Sequence, residues 1–160
     1  MTKEFEETIL VALHDLPSVT REEVTVETPR LYHYFPETET QIYSDLPASL
    51  DLKTYALKHP LTQGQCARFG HAVGLWARRF HAWANAPEQE KLREHMKSNV
   101  ALLELKYRLN YGFNLIGTID NFPKLLEGSR QTFEDLGKKV REELNAGDGS
   151  LIHGDFWSGK

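Results

Sequence analysis

The chain has 160 residues, a hydrophobic fraction of 40% and a formal net charge of −4. This length suits one domain, residues 1–160, and the apolar content is enough for a core. No apolar run approaches the ~20 residues of a membrane span and no signal-peptide pattern is present, so we expect a cytoplasmic protein without a membrane partner. The acidic balance argues against nucleic acid as a partner. A single cysteine, Cys66, excludes an internal disulfide and a multi-thiolate metal site.

The first half of the chain predicts one helix, one hairpin and one shorter helix. Apolar residues recur at spacings of three and four over 3–16, which predicts an amphipathic helix that Pro17 ends. Aromatic and β-branched residues at 30–35 and 40–44, separated by a polar turn, predict an antiparallel hairpin. A short helix is expected over 49–57, with its acidic first turn helping to start it.

The second half predicts long helices. The strongest pattern covers 62–86, where an apolar stripe runs at helical spacing through Phe69, Val73, Trp76, Phe80 and Trp83. Gly70 and Gly74 lower the helix propensity there, so we expect them to pack closely against a neighbouring element. Further helices are expected over 88–111 and 121–144. The predicted fold is therefore α+β and mainly α, with a two-stranded antiparallel hairpin packed on about four or five helices.

Three segments of the sequence resemble those of one enzyme family. After a short predicted strand at 150–152, the octet His-Gly-Asp-Phe-Trp-Ser-Gly-Lys at 153–160 resembles the catalytic loop of the aminoglycoside phosphotransferase and choline-kinase-like family, whose pattern is His-x-Asp-x-x-x-x-Asn. The stretch 69–81 is similar to that family's long helix, and 41–47 is similar to its strand and hinge beside the adenine ring. The segments come in the family's order, and His-Gly-Asp-Phe-Trp is typical of a fungal-type branch. The resemblance implies a reduced kinase-like core.

The resemblance implies roles for the residues of the final loop. Asp155 would be the catalytic base that accepts the proton of a substrate hydroxyl, and His153 would fix the loop by a hydrogen bond. Phe156 and Trp157 would line the substrate pocket. From the residues alone, Asp155 could equally be a carboxylate that only caps a turn.

The resemblance also assigns a nucleotide-facing segment. Ser44, Asp45 and Leu46 would form the hinge that meets the cofactor. From the residues alone, Tyr43 could line the substrate pocket as part of an aromatic cluster of the hairpin, although packing within the hairpin explains its ring better. The helix over 3–16 would carry the glutamate that pairs with a strand lysine in this family, and Glu6 or Glu7 is the candidate.

The sequence departs from the family pattern at both ends. Position 160, where the family has a magnesium-binding asparagine, is Lys160, and an ammonium group repels a cation. The family's Gly-rich loop, its strand lysine and its later metal-binding segment have no counterpart in these residues. We therefore expect a truncated family member, a pseudokinase with phosphotransferase activity lost. ATP and Mg²⁺ are expected as cofactors only if the family activity survives, and no metal site is predicted.

Three functions stay open at this point. The first is a truncated phosphotransferase-like protein that acts on or binds a small molecule. The second is a recruited metal-free enzyme, a cyclase, isomerase or dehydratase, that uses Asp155 or a histidine in the old cleft. The third is a non-catalytic dimeric binding module, in which a second copy covers an exposed hairpin edge.

Overall fold

The computed structural model describes residues 3–146 and 149–152. In chain order its elements are α1 (Lys3–Ala12), β1 (Val19–Arg21), β2 (Val24–Val26), β3 (Leu31–Phe35), β4 (Thr40–Tyr43), α2 (Leu52–Lys58), α3 (Gln63–Ala84), α4 (Glu90–Lys97), α5 (Val100–Tyr107), a π-helical segment (Arg108–Ile116), α6 (Gly117–Asn121), α7 (Pro123–Leu126) and α8 (Arg130–Ala146). This content confirms the mainly helical α+β class. None of the described helices combines the length and the apolar character that crossing a membrane requires.

The chain divides into two compact units. One contains the residues up to Arg93 together with Leu151 and Ile152, and the other runs from Glu94 to Ser150. We call the first the hairpin unit and the second the helical unit. The expectation of one domain over 1–160 stays a prediction.

The hairpin unit contains the predicted hairpin and a second one that the sequence did not indicate. Strands β3 and β4 pair antiparallel, with Leu31 opposite Tyr43 and a register shift after Leu31, which confirms the predicted hairpin. Strands β1 and β2 also pair antiparallel, with Val19 opposite Val26. Glu22, in the turn between them, has a φ angle of 54°. Three-residue strands around a turn without glycine or asparagine carry too little pattern to be recognised.

The core of the hairpin unit lies where α3 packs on the β1–β2 hairpin. Trp76 and Phe80 stack with their ring centroids 5.5 Å apart, and both are buried against Leu16 and Val19. Leu151 packs on the same cluster, but residues 149–152 form no strand, so the strand predicted there is wrong.

The predicted stripe of α3 is buried at its centre, whereas the predicted glycine packing is absent. Ala72 and Ala84 join Trp76 and Phe80 on the buried face, and the other stripe residues are half-buried. No described atom lies within 4 Å of the position that a Cβ would take at Gly70 or Gly74. The expectation of close packing at these two glycines is therefore wrong.

Side-chain caps set the starts of three helices. The Thr62 hydroxyl oxygen accepts from the Gln65 N–H, and Oε1 of Gln65 accepts from the Thr62 N–H. These two hydrogen bonds make a capping box at the start of α3. Asp51 accepts from the Thr54 N–H at 2.8 Å, so it caps α2 and precedes the first turn. Asn99 accepts from the Leu102 N–H at 3.0 Å and caps α5.

Each of the two long helices predicted over 88–111 and 121–144 is divided into shorter helices in the structure. The segment 88–111 is interrupted at residues 98 and 99, because Asn99 starts a new helix there. The segment 121–144 is interrupted by a short 3₁₀ turn at Glu127–Ser129. Ile119 is fully buried in the helical unit, and Gly137 of α8 is buried with its Cβ position 3.4 Å from the Tyr107 hydroxyl.

Candidate functional site

A cavity of about 650 Å³ lies in the hairpin unit between α1 and the segment that follows β4. Glu6 and Leu10 line one wall, and because they are four residues apart on α1 they project from the same face of the helix. Pro29, residues 43–46 and Ser49 line the rest. The volume is within the range of pockets that hold small molecules, ~300–1,000 Å³.

The cavity brings together residues that the sequence analysis named for different reasons. The hinge candidates Ser44, Asp45 and Leu46 line it, and so does Tyr43. Glu6 faces them from α1, whereas Glu7 does not line the cavity. The structure thus places these residues around one volume, and their roles in binding stay predictions. Leu10, Pro29 and Ser49 were missed, although the helical spacing from Glu6 could have indicated Leu10.

The Tyr43 side chain is hydrogen-bonded at the edge of this cavity. Its hydroxyl donates to Oε1 of Gln41, which lies two residues earlier on the same face of β4. Burial of the ring, the negative charge of Glu6 and a hydrogen bond with Glu6 raise the pKa of Tyr43 above its ordinary value of 10.0. The phenol therefore keeps its proton at neutral pH. Nε2 of Gln41 is buried and has no hydrogen-bond partner in the described part of the chain.

The hinge segment is attached to the start of β3. The Ser44 N–H donates to the Arg30 carbonyl at 2.8 Å, and the Arg30 N–H donates to Oγ of Ser44 at 3.0 Å. After it, the Ser49 N–H donates to the Leu46 carbonyl at 3.2 Å, which closes a turn. Asp45 and Leu46 stay exposed between these two attachments. The segment thus presents one carboxylate and one apolar side chain at the cavity.

The lining is negatively charged and partly apolar. Glu6 and Asp45 are its carboxylates, and the described residues that line it include no lysine, arginine or histidine. Leu10, Leu46 and Pro29 supply apolar surface. Such a lining favours an uncharged or positively charged group over a phosphate. Within residues 3–146 and 149–152, no group of three or more histidine, cysteine, aspartate or glutamate side chains could hold a metal ion.

The catalytic-loop residues lie outside the described residues. His153, Asp155, Phe156 and Trp157 all belong to this segment, as does Lys160. Their predicted roles as base, loop-fixing residue and pocket lining therefore stay predictions.

Comparison with known proteins finds a distant relative. The chain is similar to Phosphotransferase FrzJ from Cladobotryum sp., with 24% identity over 148 residues. The chain resembles a phosphotransferase. The matched part is 89% of this chain but only 38% of that protein, so the chain spans little more than a third of the length of its relative. No family model matches the chain. No solved structure matches it.

Proposed function

We propose that this chain is part of a phosphotransferase-like protein that acts on or binds a small molecule, and that the α1–β4 cavity holds the base of a nucleoside. One observation carries this proposal: Glu6 and the hinge candidates Ser44, Asp45 and Leu46 line the same cavity. The resemblance assigns the hinge to the adenine ring of the nucleotide, and Glu6 or Glu7 to the helix whose glutamate pairs with a strand lysine. The similarity to Phosphotransferase FrzJ supports the reaction class.

The chemistry of the cavity fits a flat, uncharged heterocycle. Leu10 and Leu46 offer apolar contact for its faces, and the Tyr43 hydroxyl and the Glu6 carboxylate offer one hydrogen-bonding edge. A base with an amino group satisfies that edge, because the carboxylate accepts the amino N–H. The cavity is large enough to hold such a ring with its sugar.

We further propose that the 160-residue polypeptide transfers no phosphate by itself. Phosphoryl transfer depends on cations that neutralise the phosphates. Among the described residues that line the cavity are Glu6 and Asp45 but no cation, so these residues repel a triphosphate. At position 160 an ammonium stands where the family has a magnesium ligand. In this proposal the polypeptide binds adenosine at least as tightly as it binds ATP with Mg²⁺.

Two alternatives stay predictions. The metal-free enzyme depends on Asp155, which lies outside the described residues. The dimeric module depends on a partner at the β3–β4 hairpin, whose Tyr32 and Ile42 side chains are exposed. Neither has a described cavity of its own that assembles its residues.

The test is the melting temperature of the protein with adenosine, with ATP and with ATP plus Mg²⁺. A ligand at a hundred times its Kd stabilises a protein by about 2.7 kcal/mol, which raises the melting temperature of a domain this size by several degrees. We expect adenosine to give such a shift and Leu46→Asp to abolish it, because the new carboxylate stands against the ring.

Leu50→Asp is the matched control, because Leu50 is about as exposed as Leu46 (47% against 54%) and does not line the cavity. It should keep the shift. A folded protein whose melting temperature does not change with adenosine or ATP, or in which both variants behave alike, contradicts the proposed site.

A further inference from the structure

A second cavity of the hairpin unit, about 340 Å³, lies between the end of α1 and the segment that joins β2 to β3. Leu13, His14, Leu16 and Pro17 line it on one side, and Glu27 and Arg30 line it on the other. It shares no lining residue with the α1–β4 cavity. This second cavity has no part in the nucleoside site proposed above.

The walls of this cavity are held by contacts that do not depend on a ligand. Leu16 is buried in the core cluster with Trp76 and Phe80. The backbone of Arg30 makes the two hydrogen bonds to Ser44 described above. The guanidinium carbon of Arg30 lies 6.0 Å from the centroid of the Tyr32 ring. The cavity is therefore formed before anything binds.

Two opposite charges at its edge have no ion-pair partner. Neither Arg30 nor Glu27 pairs with an oppositely charged side chain in the part of the chain that the structure describes. They also do not pair with each other, so no described side chain neutralises either charge. Between them, Leu13, Leu16 and Pro17 provide apolar surface.

We propose that this second cavity binds a small zwitterion with an apolar side chain, of the α-amino acid type. The planar guanidinium of Arg30 matches a carboxylate and binds it through two hydrogen bonds. Glu27 accepts from the ammonium group, and the apolar side chain lies on Leu13, Leu16 and Pro17. A phosphate dianion fits less well, because Glu27 repels it. The ligand class thus follows from one cation, one anion and three apolar side chains that line a single cavity.

The experiment compares three probes with the same aromatic ring and different charged groups: L-phenylalanine, 3-phenylpropanoate, which lacks the ammonium, and 2-phenylethylamine, which lacks the carboxylate. Binding is followed by ¹⁵N chemical shifts of the chain. Phenylalanine should shift the amides of 13–18 and 27–30 in a saturable way. Each analogue should bind about tenfold more weakly or worse, because it loses one charge-assisted hydrogen-bonding group.

Variants test the two charged residues separately. Arg30→Gln should remove the preference for phenylalanine over 2-phenylethylamine, and Glu27→Gln should remove the preference over 3-phenylpropanoate. Arg21→Gln and Glu23→Gln are matched controls, since both residues are exposed and neither lines the cavity. If a variant does not fold, the comparison of probes on the unchanged chain decides alone.

The inference does not rest on nucleoside binding, because none of its probes contains a base or a phosphate. Saturable shifts confined to 13–18 and 27–30, with the expected preference among the probes, support it. No saturable shift at millimolar phenylalanine, equal binding of an analogue that lacks one charge, or affinities that ignore both Arg30→Gln and Glu27→Gln overturn it.

Discussion

The hydroxyl of Tyr43 donates to Oε1 of Gln41 and lies close to the carboxylate of Glu6. Burial of the phenol raises the pKa of Tyr43 most, and the negative charge of Glu6 raises it further, because ionisation would place a second negative charge beside it. At the residue scale, the pKa of the Tyr43 hydroxyl in the α1–β4 cavity therefore depends in part on the charge of Glu6.

We predict that Glu6→Gln lowers the pKa of Tyr43 toward its ordinary value, because the neighbouring negative charge is gone. The pKa can be read from the ¹³Cζ shifts of the tyrosines, with Tyr43→Phe to assign the signal. Glu7→Gln is the control: Glu7 contributes to the raised pKa of Tyr34, not to that of Tyr43. An unchanged titration of Tyr43 in Glu6→Gln would show that the two side chains are not in contact.

The same shift fixes the direction of a pH effect on stability. The folded chain keeps the Tyr43 proton at a pH where the unfolded chain, with an ordinary pKa of 10.0, loses it. The contribution of Tyr43 to the free energy of unfolding is therefore fully present below pH 10.0. It declines as the pH rises from there through the folded-state pKa. In Glu6→Gln this decline should be smaller.

At the element scale, α3 is a long helix whose two interior glycines contribute no packing. Gly70 and Gly74 are both exposed, and a Cβ at either position would meet no described atom within 4 Å. Glycine in a helix costs stability because it loses more backbone freedom on folding than alanine does. An alanine at either position can therefore raise the free energy of unfolding without a steric clash.

We predict that Gly74→Ala raises the free energy of unfolding by about 0.5–1 kcal/mol. Urea denaturation followed by circular dichroism measures this change. Gly137→Ala on α8 provides the comparison: it should gain less, because its Cβ would lie 3.4 Å from the Tyr107 hydroxyl. A loss of stability in Gly74→Ala would mean that the glycine makes a close contact, as the sequence analysis had expected.

At the scale of the whole molecule, the hairpin unit depends on one aromatic cluster. Phe80 is 6% exposed and has Trp76 stacked on one side and Trp83 on the other, with centroid distances of 5.5 and 5.9 Å. This cluster joins α3 to the β1–β2 hairpin and to Leu151. Removing one ring from it leaves a void that its neighbours fill only in part.

We predict that Phe80→Ala lowers the free energy of unfolding by about 3–5 kcal/mol, the usual cost of a large core truncation. Guanidinium denaturation followed by tryptophan fluorescence measures this loss. The same substitution at Phe35, which is 41% exposed in the same unit, should cost clearly less. Equal losses at both positions would mean that the stability of this unit does not come from the Trp76–Phe80 cluster.

Several features followed from local sequence alone. The helical period over 62–86 and the alternating aromatic run at 30–35 predicted α3 and the β3–β4 hairpin, because many neighbouring residues carry each signal. The resemblance over 41–47 named the hinge candidates; they line one cavity, and their role in binding a cofactor stays a prediction. Such features survive because the residues that determine them are close together in the chain.

Other features required contacts between distant residues. The β1–β2 hairpin has only three residues a strand and is stabilised where Val19 is buried on α3. At Asn99 the chain can either continue the preceding helix or start a new one that the Asn99 side chain caps. The helical period is the same in both cases, so it does not predict the break. The exposure of Gly70 and Gly74 depends on which face of α3 has a neighbour.

The sequence by itself determined the mainly helical class, the predicted hairpin and the resemblance to a phosphotransferase family, because these rest on periodicity and on short motifs. Only the tertiary structure decided that Glu6, and not Glu7, lies beside Tyr43 at a cavity, and that Glu27 and Arg30 line a second cavity with Leu13, Leu16 and Pro17. Both arrangements join residues from separate elements, and their distances follow from the packing of α1 against the β3 strand and its neighbours. Packing of this kind depends on all the contacts together, and no local pattern records it.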